Sequence, residues 1–270
     1  MTIKLIAIDI DGTLLNENGD LNPATISAVQ AARDANIKVV LCTGRPLTGV
    51  ANYLKQLGLS GDDQYVITFN GALAQTISGR ILVHHTLDYQ QYRQLENLSH
   101  TLGTHFHVET DQAIYTANRD ISPYTIGEAY LVNMPIRYRA VDEMPTDLTL
   151  SKAMFIDDPK LVEAAYQALP AEAKQQFYFV RSEPYFLEAM NQAASKGNAI
   201  TGLASDLGLT MAEVMALGDQ GNDLSMIQAA GLGIAMGNAI PELKAAAQAV
   251  TLTNREDGVA VAIQKYALNH

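Results

Sequence analysis

Two carboxylates stand at the end of an apolar run near the N-terminus, and they narrow the folds open to this chain more than anything else in it. Leu5-Ile6-Ala7-Ile8 leads straight into Asp9-Ile10-Asp11-Gly12-Thr13. Branched apolar residues without alternation mark a parallel strand buried on both faces. In an extended chain Asp9 and Asp11 fall on the same side, and Gly12 permits a sharp turn behind them. Two anions at the mouth of a buried strand repel each other and lose hydration, which costs several kcal/mol per ion unless a cation sits between them. A hard divalent cation meets that need, since Mg²⁺ takes one or two carboxylates together with waters and a substrate phosphate. The same residues also read as a strand that simply ends in a polar Asp-Gly turn.

The chain repeats this strand-to-turn pattern. Asn22-Pro23 predicts a helix N-cap followed by proline at the first helical position, with the helix ending near Asn36. Residues 37–42 form a second buried run that stops on Thr43-Gly44-Arg45-Pro46, and a helix is expected from Leu47 to Leu57. A third strand, Tyr65 to Phe69, stops at Asn70-Gly71. The beat resumes at Lys196 with a helix closed by Gly208, then a strand at Val214 to Leu217 running into Gly218-Asp219. A helix from Asp223, strands at 233–236 and near Val250, and helices after Pro241 and from Asp257 complete the set. Strands alternating with helices imply right-handed crossovers and a parallel sheet, with the ligand crevice at the strands' carboxyl ends. Between about Ile81 and Glu188 the texture changes to shorter runs with more tyrosine and proline. Strands over 104–116 and 149–157 and helices over 88–102 and 159–168 predict an inserted α+β domain with its own small core.

Composition removes several classes of function. Twenty-nine acidic residues against eighteen basic ones give a net charge of -11, which argues against nucleic acid or an anionic membrane surface as the main partner. The N-terminal apolar run is short and broken by Asp9, so it reads as neither a signal peptide nor a membrane span. The single cysteine, Cys42, excludes an internal disulfide, and a cytoplasmic location is expected.

Each polar strand end has a functional and a plain reading. Thr43 can donate to a phosphate oxygen beside the free N–H groups of the next loop, or can serve as an N-cap. Lys196 falls at the start of a predicted helix, where the macrodipole disfavours a cation; it is either an ordinary surface lysine or a charge placed to meet anionic oxygens. Gly218-Asp219-Gln220-Gly221-Asn222-Asp223 is either a polar turn or a source of further hard oxygen ligands. Two rival chemistries have weaker support. Cys42 lacks the arginine six residues on that a cysteine phosphatase loop needs, since position 48 is threonine. His105 and His107 share a strand face, but neither they nor His84 and His85 have an evident third ligand for zinc. Gly231-Leu232-Gly233 has the wrong spacing and context for a dinucleotide-binding loop.

Taken together and in this order, Asp9-x-Asp11-x-Thr13, Thr43-Gly44-Arg45, Lys196-Gly197 and Gly218-Asp219-x-x-Asn222-Asp223 resemble the motifs of the haloacid dehalogenase superfamily of phosphotransferases. Phe69-Asn70-Gly71-Ala72, Tyr185-Phe186-Leu187-Glu188 and the position of the insertion are similar to the Cof-type branch and, within it, the YidA-like sugar phosphatases. The resemblance implies an α/β, Rossmann-like catalytic core over 1–82 and 189–270, with a C2-type cap over 83–188 that sets specificity. It implies a Mg²⁺-dependent phosphatase acting on a small phosphorylated metabolite, a sugar phosphate by expectation, in a monomer or homodimer. It makes Asp9 the nucleophile, Asp11 the acid and base, and Thr43 and Lys196 the holders of the phosphoryl oxygens. Asp9, Asp11 through its backbone carbonyl, and Asp219 would hold the metal, with Asn222 and Asp223 steadying that shell. Gly44, Arg45, Asn70, Arg119 and Glu188 join Thr43 and Lys196 as candidate substrate contacts. A phosphomutase is the alternative within enzymes. A phosphoaspartate signalling receiver is the alternative outside them, although receivers carry adjacent acids on the first strand and lack a large insertion; a binding protein with an inactive site is a third, although all the chemical groups are present. Asn191 departs from the branch's usual residue before the lysine.

Overall fold

The computed structural model describes residues 2–268. From the N-terminus come β1 (Leu5–Asp9), α1 (Pro23–Asp34), β2 (Lys38–Cys42), α2 (Ala51–Gln56), β3 (Tyr65–Thr68), β4 (Leu73–Thr76) and β5 (Ile81–His84). The middle of the chain forms α3 (Tyr89–Leu102), β6 (His105–Glu109), β7 (Ile114–Thr116), α4 (Pro123–Val132), β8 (Ile136–Tyr138), β9 (Lys152–Ile156), α5 (Pro159–Gln167), α6 (Ala171–Gln176), β10 (Phe177–Glu183) and β11 (Phe186–Asn191). The last part adds α7 (Lys196–Asp206), β12 (Val214–Gly218), α8 (Leu224–Ala229), β13 (Leu232–Ala235), α9 (Pro241–Ala246), β14 (Ala249–Val250) and α10 (Gly258–Ile263).

Two compact units result. Among the described residues the first comprises 2–44, 50–84 and 195–268, and the second comprises 45–49 and 85–194. Junctions expected at 82/83 and 188/189 would cut β5 and β11, whose ladders to β4, β9 and β10 hold those residues in place.

The first unit is built on one sheet in the order β14-β13-β12-β1-β2-β3-β4-β5. It is parallel from β14 to β3, as the unbroken apolar runs require, and the β3-β4-β5 meander adds antiparallel strands at one edge. β1 lies between β2 and β12, with Leu5, Ile6, Ala7 and Ile8 at 0% exposure. The carboxyl ends of β1, β2, β3 and β12 therefore carry Asp9, Thr43, Asn70 and Asp219 along one edge of the sheet. The helix expected over 47–57 begins only at Ala51, because Leu47–Gly49 makes a separate 3-10 turn behind Pro46.

The second unit has a six-stranded sheet in the order β10-β11-β9-β6-β7-β8, antiparallel except for β7 with β8. Alternation on β9 divides its faces. Ala153 and Phe155 enter the main core with Tyr92, Leu95, Phe106, Val162 and Leu187, whereas Met154 and Ile156 join Phe186 on the other side. The strand expected over 104–116 is two strands with a turn at 110–113, where Thr110 N–H donates to Ala113 O.

A charged cluster is buried in this unit. The Lys152 ammonium lies 3.5 Å from Glu109 Oε2, 3.6 Å from Glu128 Oε1 and 3.8 Å from Glu188 Oε2. His107 completes it, with Nδ1 3.1 Å from Thr125 Oγ1 and Nε2 3.4 Å from Glu109 Oε1. Burial keeps His107 below its usual range, and burial pushes the Glu128 carboxyl up to about 7 despite Lys152. The sign follows. Glu128 keeps its proton in the folded chain while the unfolded chain loses it near pH 4.3, so its contribution is fully present below that pH and is lost as pH rises through about 7. Glu128→Gln cannot ionise. Its melting temperature relative to the parent is expected to rise between pH 5 and pH 8, by an amount equivalent to a few kcal/mol at most, in parallel thermal melts; a gap independent of pH would show that Glu128 does not titrate in this window.

Candidate active site

β1 delivers Asp9 into a buried position, and residues 10–14 leave the strand in an irregular turn. Asp11 in that turn is exposed, and Gly12 is left-handed at φ 80°. Glycine is required at 12 for space as well as conformation, because an added Cβ would lie 2.4 Å from Asp219 Oδ2.

The first residue of α7 meets Asp9. Ser195 caps the helix, its Oγ accepting from Asn198 N–H at 3.0 Å, and Lys196 follows with its side chain fully buried. Its ammonium donates to Asp9 Oδ1 at 2.5 Å and to Asp223 Oδ1 at 2.6 Å. Burial works against the lysine's charge, but Asp223 and Asp9 outweigh it and hold the ammonium protonated above its ordinary range. Those two bonds also offset the helix dipole, which is why a cation is tolerated at this end.

β12 brings the other acids. The other oxygen of Asp223, Oδ2, accepts from the N–H groups of Asp219 at 2.9 Å and Gln220 at 3.0 Å, so this carboxylate organises the turn that presents Asp219. Asp219 Oδ1 accepts from Thr13 Oγ1 at 2.8 Å, and Oδ2 from Gln220 Nε2 at 3.2 Å. Thr43 is buried at the end of β2, and its carbonyl accepts from Asn70 N–H at 2.9 Å. Asn70 is left-handed at φ 54° and its Oδ1 accepts from Asn222 Nδ2 at 3.0 Å. Gly44 packs beside the Asn70 amide, where a Cβ would sit 3.1 Å from Nδ2.

Among the described residues, Asp9, Asp219 and Asp223 are the one group of three or more acidic, histidine or cysteine side chains able to offer ligand atoms within 4.8 Å of one another. These donors suit a hard divalent cation: all are oxygens, and three carboxylates face a single ammonium. Burial raises the Asp9 carboxyl well above its ordinary range, and Asp223 and Asp219 push it further than Lys196 can offset. Burial likewise pushes Asp219 up to about 6, against the bond from Thr13. Asp223 is tied at one oxygen to the Lys196 ammonium and at the other to two backbone N–H groups, whereas Asp219 is held by the side chains of Thr13 and Gln220.

The structure thus brings Asp9, Asp11, Thr43, Gly44, Asn70, Lys196, Asp219, Asn222 and Asp223 into the first unit's strand-end region. Arg45, Arg119 and Glu188 belong to the second unit. Arg119 is exposed and bonded to Tyr138, while Glu188 is buried, bonded to Ser182 and near Lys152. Asn191 spends its side chain on backbone groups, donating to the distant Thr86 O and accepting from Ala193 N–H in its own turn, each at 2.9 Å. Cys42 is buried on β2, and burial pushes its thiol far above the range of a nucleophile. The histidines take separate partners, His105 with Asp157 at 2.6 Å and His107 with Glu109 and Thr125. Sequence reasoning gave no role to Thr13 or Gln220, the two side chains that hold Asp219. Both lie inside the quoted motifs, so their positions were visible although their partner was not.

The haloacid dehalogenase-like hydrolase family profile matches residues 6–263. The chain is 44% identical over 266 residues to YxeH of Bacillus subtilis (strain 168), covering 98% of both proteins. It is 30% identical over 270 residues to the 5-amino-6-(5-phospho-D-ribitylamino)uracil phosphatase YcsE of the same organism, covering 98% of this chain and 96% of that protein. Among solved structures it is similar to a haloacid dehalogenase-like hydrolase from Bacteroides thetaiotaomicron, with a TM-score of 0.85, 32% identity and coverage of 98% of this chain and 99% of that one.

A divalent cation that binds only the folded chain raises its melting temperature, and protons compete for Asp219. The expected rise in differential scanning fluorimetry is a few degrees at pH 7.5, shrinking as pH falls through about 6 and absent in Asp219→Asn. An undiminished rise in Asp219→Asn would place the cation elsewhere.

Proposed function

The chain belongs to the haloacid dehalogenase-like hydrolases, and from that membership we propose that it is a Mg²⁺-dependent phosphatase of small phosphomonoesters, sugar phosphates above all, working through an aspartyl phosphate. The observation that carries this reading is the Lys196 ammonium shared between Asp9 and Asp223, with Asp219 alongside: a fixed positive charge beside a carboxylate at the end of a buried strand.

Phosphoryl transfer asks mainly for positioning and for neutralisation of charge on the equatorial oxygens. Asp9 attacks phosphorus and takes the phosphoryl group, while Asp11 gives its proton to the departing alcohol. Asp11 then takes a proton from water as that water attacks the same phosphorus, which releases phosphate and restores both carboxyl groups. An exposed acid suits this double duty, since it must reach both the leaving oxygen and water. Lys196 restrains Asp9 and meets phosphoryl oxygens together with Thr43 and the N–H groups that follow it. Mg²⁺ would be held by Asp9, the Asp11 carbonyl and Asp219, with Asn222 and Asp223 steadying them; it supplies the positive charge that keeps these acids ionised and neutralises the phosphate.

Recognition of the alcohol is assigned to the second unit, with Arg45 and Arg119 as candidate contacts, on resemblance alone. The buried position of Glu188 makes it a support within that unit. The relative that acts on a phospho-D-ribitylamino compound supports a polyol or sugar phosphate as substrate class.

Asp9→Asn is expected to lower phosphate release by at least ~10³-fold while leaving the circular dichroism spectrum unchanged, measured on a panel of sugar phosphates with Mg²⁺ and after chelation. Substantial turnover in this variant removes Asp9 as nucleophile. Rearranged sugar phosphate without free phosphate would favour the mutase reading.

A further inference from the structure

Glu96 breaks the pattern of α3. The helix turns Tyr92, Leu95 and Ser99 inward and leaves Arg93, Gln94, Asn97 and His100 outside, as an amphipathic helix does. Glu96 stands at the boundary of the two faces, where a glutamate ordinarily turns its carboxylate to water, yet it is 3% exposed. Elsewhere in the same unit the buried Glu109 and Glu188 have the Lys152 ammonium at 3.5 and 3.8 Å. Glu96 has no such cation. Its Oε2 accepts no hydrogen bond among the described residues, and Oε1 has only His100 Nε2, at a long 3.4 Å. The buried Tyr92 hydroxyl, one turn earlier, also lacks a partner, so the helix does not supply the missing donor. Burial accordingly holds the Glu96 carboxyl above its ordinary range, against His100.

This carboxylate helps to line a pocket of about 520 Å³ that lies wholly within the second unit. That size falls among small-molecule sites, roughly 300–1,000 Å³. Arg93, Glu96, Asn97 and His100 follow the helical spacing i, i+3, i+4 and i+7, so they share one stripe of α3, with Gln90 a turn before them. Val141 also lines the pocket, and its carbonyl is held by the Tyr89 hydroxyl, which donates to it at 3.1 Å. The imidazole of His100 has its side chain 65% exposed, so it can swing off Oε1 and admit another donor.

A ligand for this pocket has to bring a donor to Glu96, and a charged donor bonds a carboxylate about twice as strongly as a neutral one. An ammonium is therefore favoured over a hydroxyl. Arg93, three positions earlier on the same stripe, repels a bare diamine but offers its planar fork to a carboxylate. We propose that this pocket binds a free α-amino acid, its ammonium meeting Glu96 in place of the His100 ring and its carboxylate meeting Arg93. The carboxamides of Gln90 and Asn97, each able to donate and accept, are left for the ligand's side chain. The inference is independent of the phosphatase reading.

The test screens the twenty common L-amino acids at millimolar concentration against the full chain by thermal melting, then measures Kd by calorimetry for those that act. At least one is expected to raise the melting temperature by about 2 °C or more. Glu96→Gln and Arg93→Gln are each expected to weaken that binding at least ~10-fold, as is replacing the ligand by its amine or by its hydroxy acid. Arg93 is exposed, so its variant carries the test if Glu96→Gln folds poorly. No shift from any amino acid overturns the proposal, and so does binding that survives undiminished in either variant. An amine that binds as tightly as its amino acid overturns it too, because Arg93 then has no part.

Discussion

A lysine ammonium enclosed with two carboxylates is tolerable inside a protein only when every partner is held in place, because a lost partner strands a charge at a cost of about 3–5 kcal/mol. Lys196 has that enclosure, and much of the first unit's local geometry serves it. Its partners are 187 and 27 residues away in the chain, on the ends of β1 and behind β12. The start of α7 has to come close to two other segments to reach them. Gly71 lets the Ser195 carbonyl approach to where a side chain would sit 2.1 Å from it, and Gly197 does the same for the Ser225 carbonyl at 2.4 Å. Ser225 then accepts from Gly197 N–H at 3.1 Å, so the first turn of the helix is fastened on the side that has no intrahelical partner.

The second unit solves a different problem with a similar set of groups. Around Lys152 the distances run from 3.5 to 3.8 Å, longer than the direct hydrogen bonds made by Lys196, and three carboxylates share the one cation. Such a cluster is a weak source of stability, and an apolar replacement of equal volume would serve as well or better. It does link β6, β9 and β11 to α4, which otherwise has few apolar anchors: Ile126, Tyr130 and Leu131 are exposed, and Val132 packs with Ile114 and Met134. Thr125 and Glu128 are the helix's polar attachments to that cluster. The C-terminal carbonyl of the same helix, at Val132, accepts from Thr48 Oγ1 at 2.7 Å, which accounts for residues 45–49 belonging to this unit.

Much of the first unit was legible because its strands announce themselves. An unbroken apolar run that stops on a polar pair gives both the strand and the residue at its end, and Asp9, Thr43 and Asp219 were located in this way. Lys196 was legible as an exception, a cation where a helix dipole opposes it. Partners separated by long stretches of chain were not legible. Nothing near residue 48 announces a bond to residue 132, and the helix expected from Leu47 therefore starts four residues late. The α4 helix and β8 went unread because their apolar positions follow no single stripe, the helix being attached partly through charge. His105 and His107 do share a face, but the zinc question was decided by Asp157, Glu109 and Thr125 from other positions.

Charge finally decides what the site can admit. The chain carries a net -11, so a phosphate dianion approaching from a distance is repelled, and what draws it in must act within a few ångströms. At the strand ends one ammonium faces three carboxylates, and the rise of Asp9 and Asp219 above their ordinary ranges is the same imbalance seen from the acids' side. A second anion could not enter that enclosure against two uncompensated charges. The same acids are the group able to offer a divalent cation its ligands, and Asp223 divides its oxygens between Lys196 and the turn that carries Asp219.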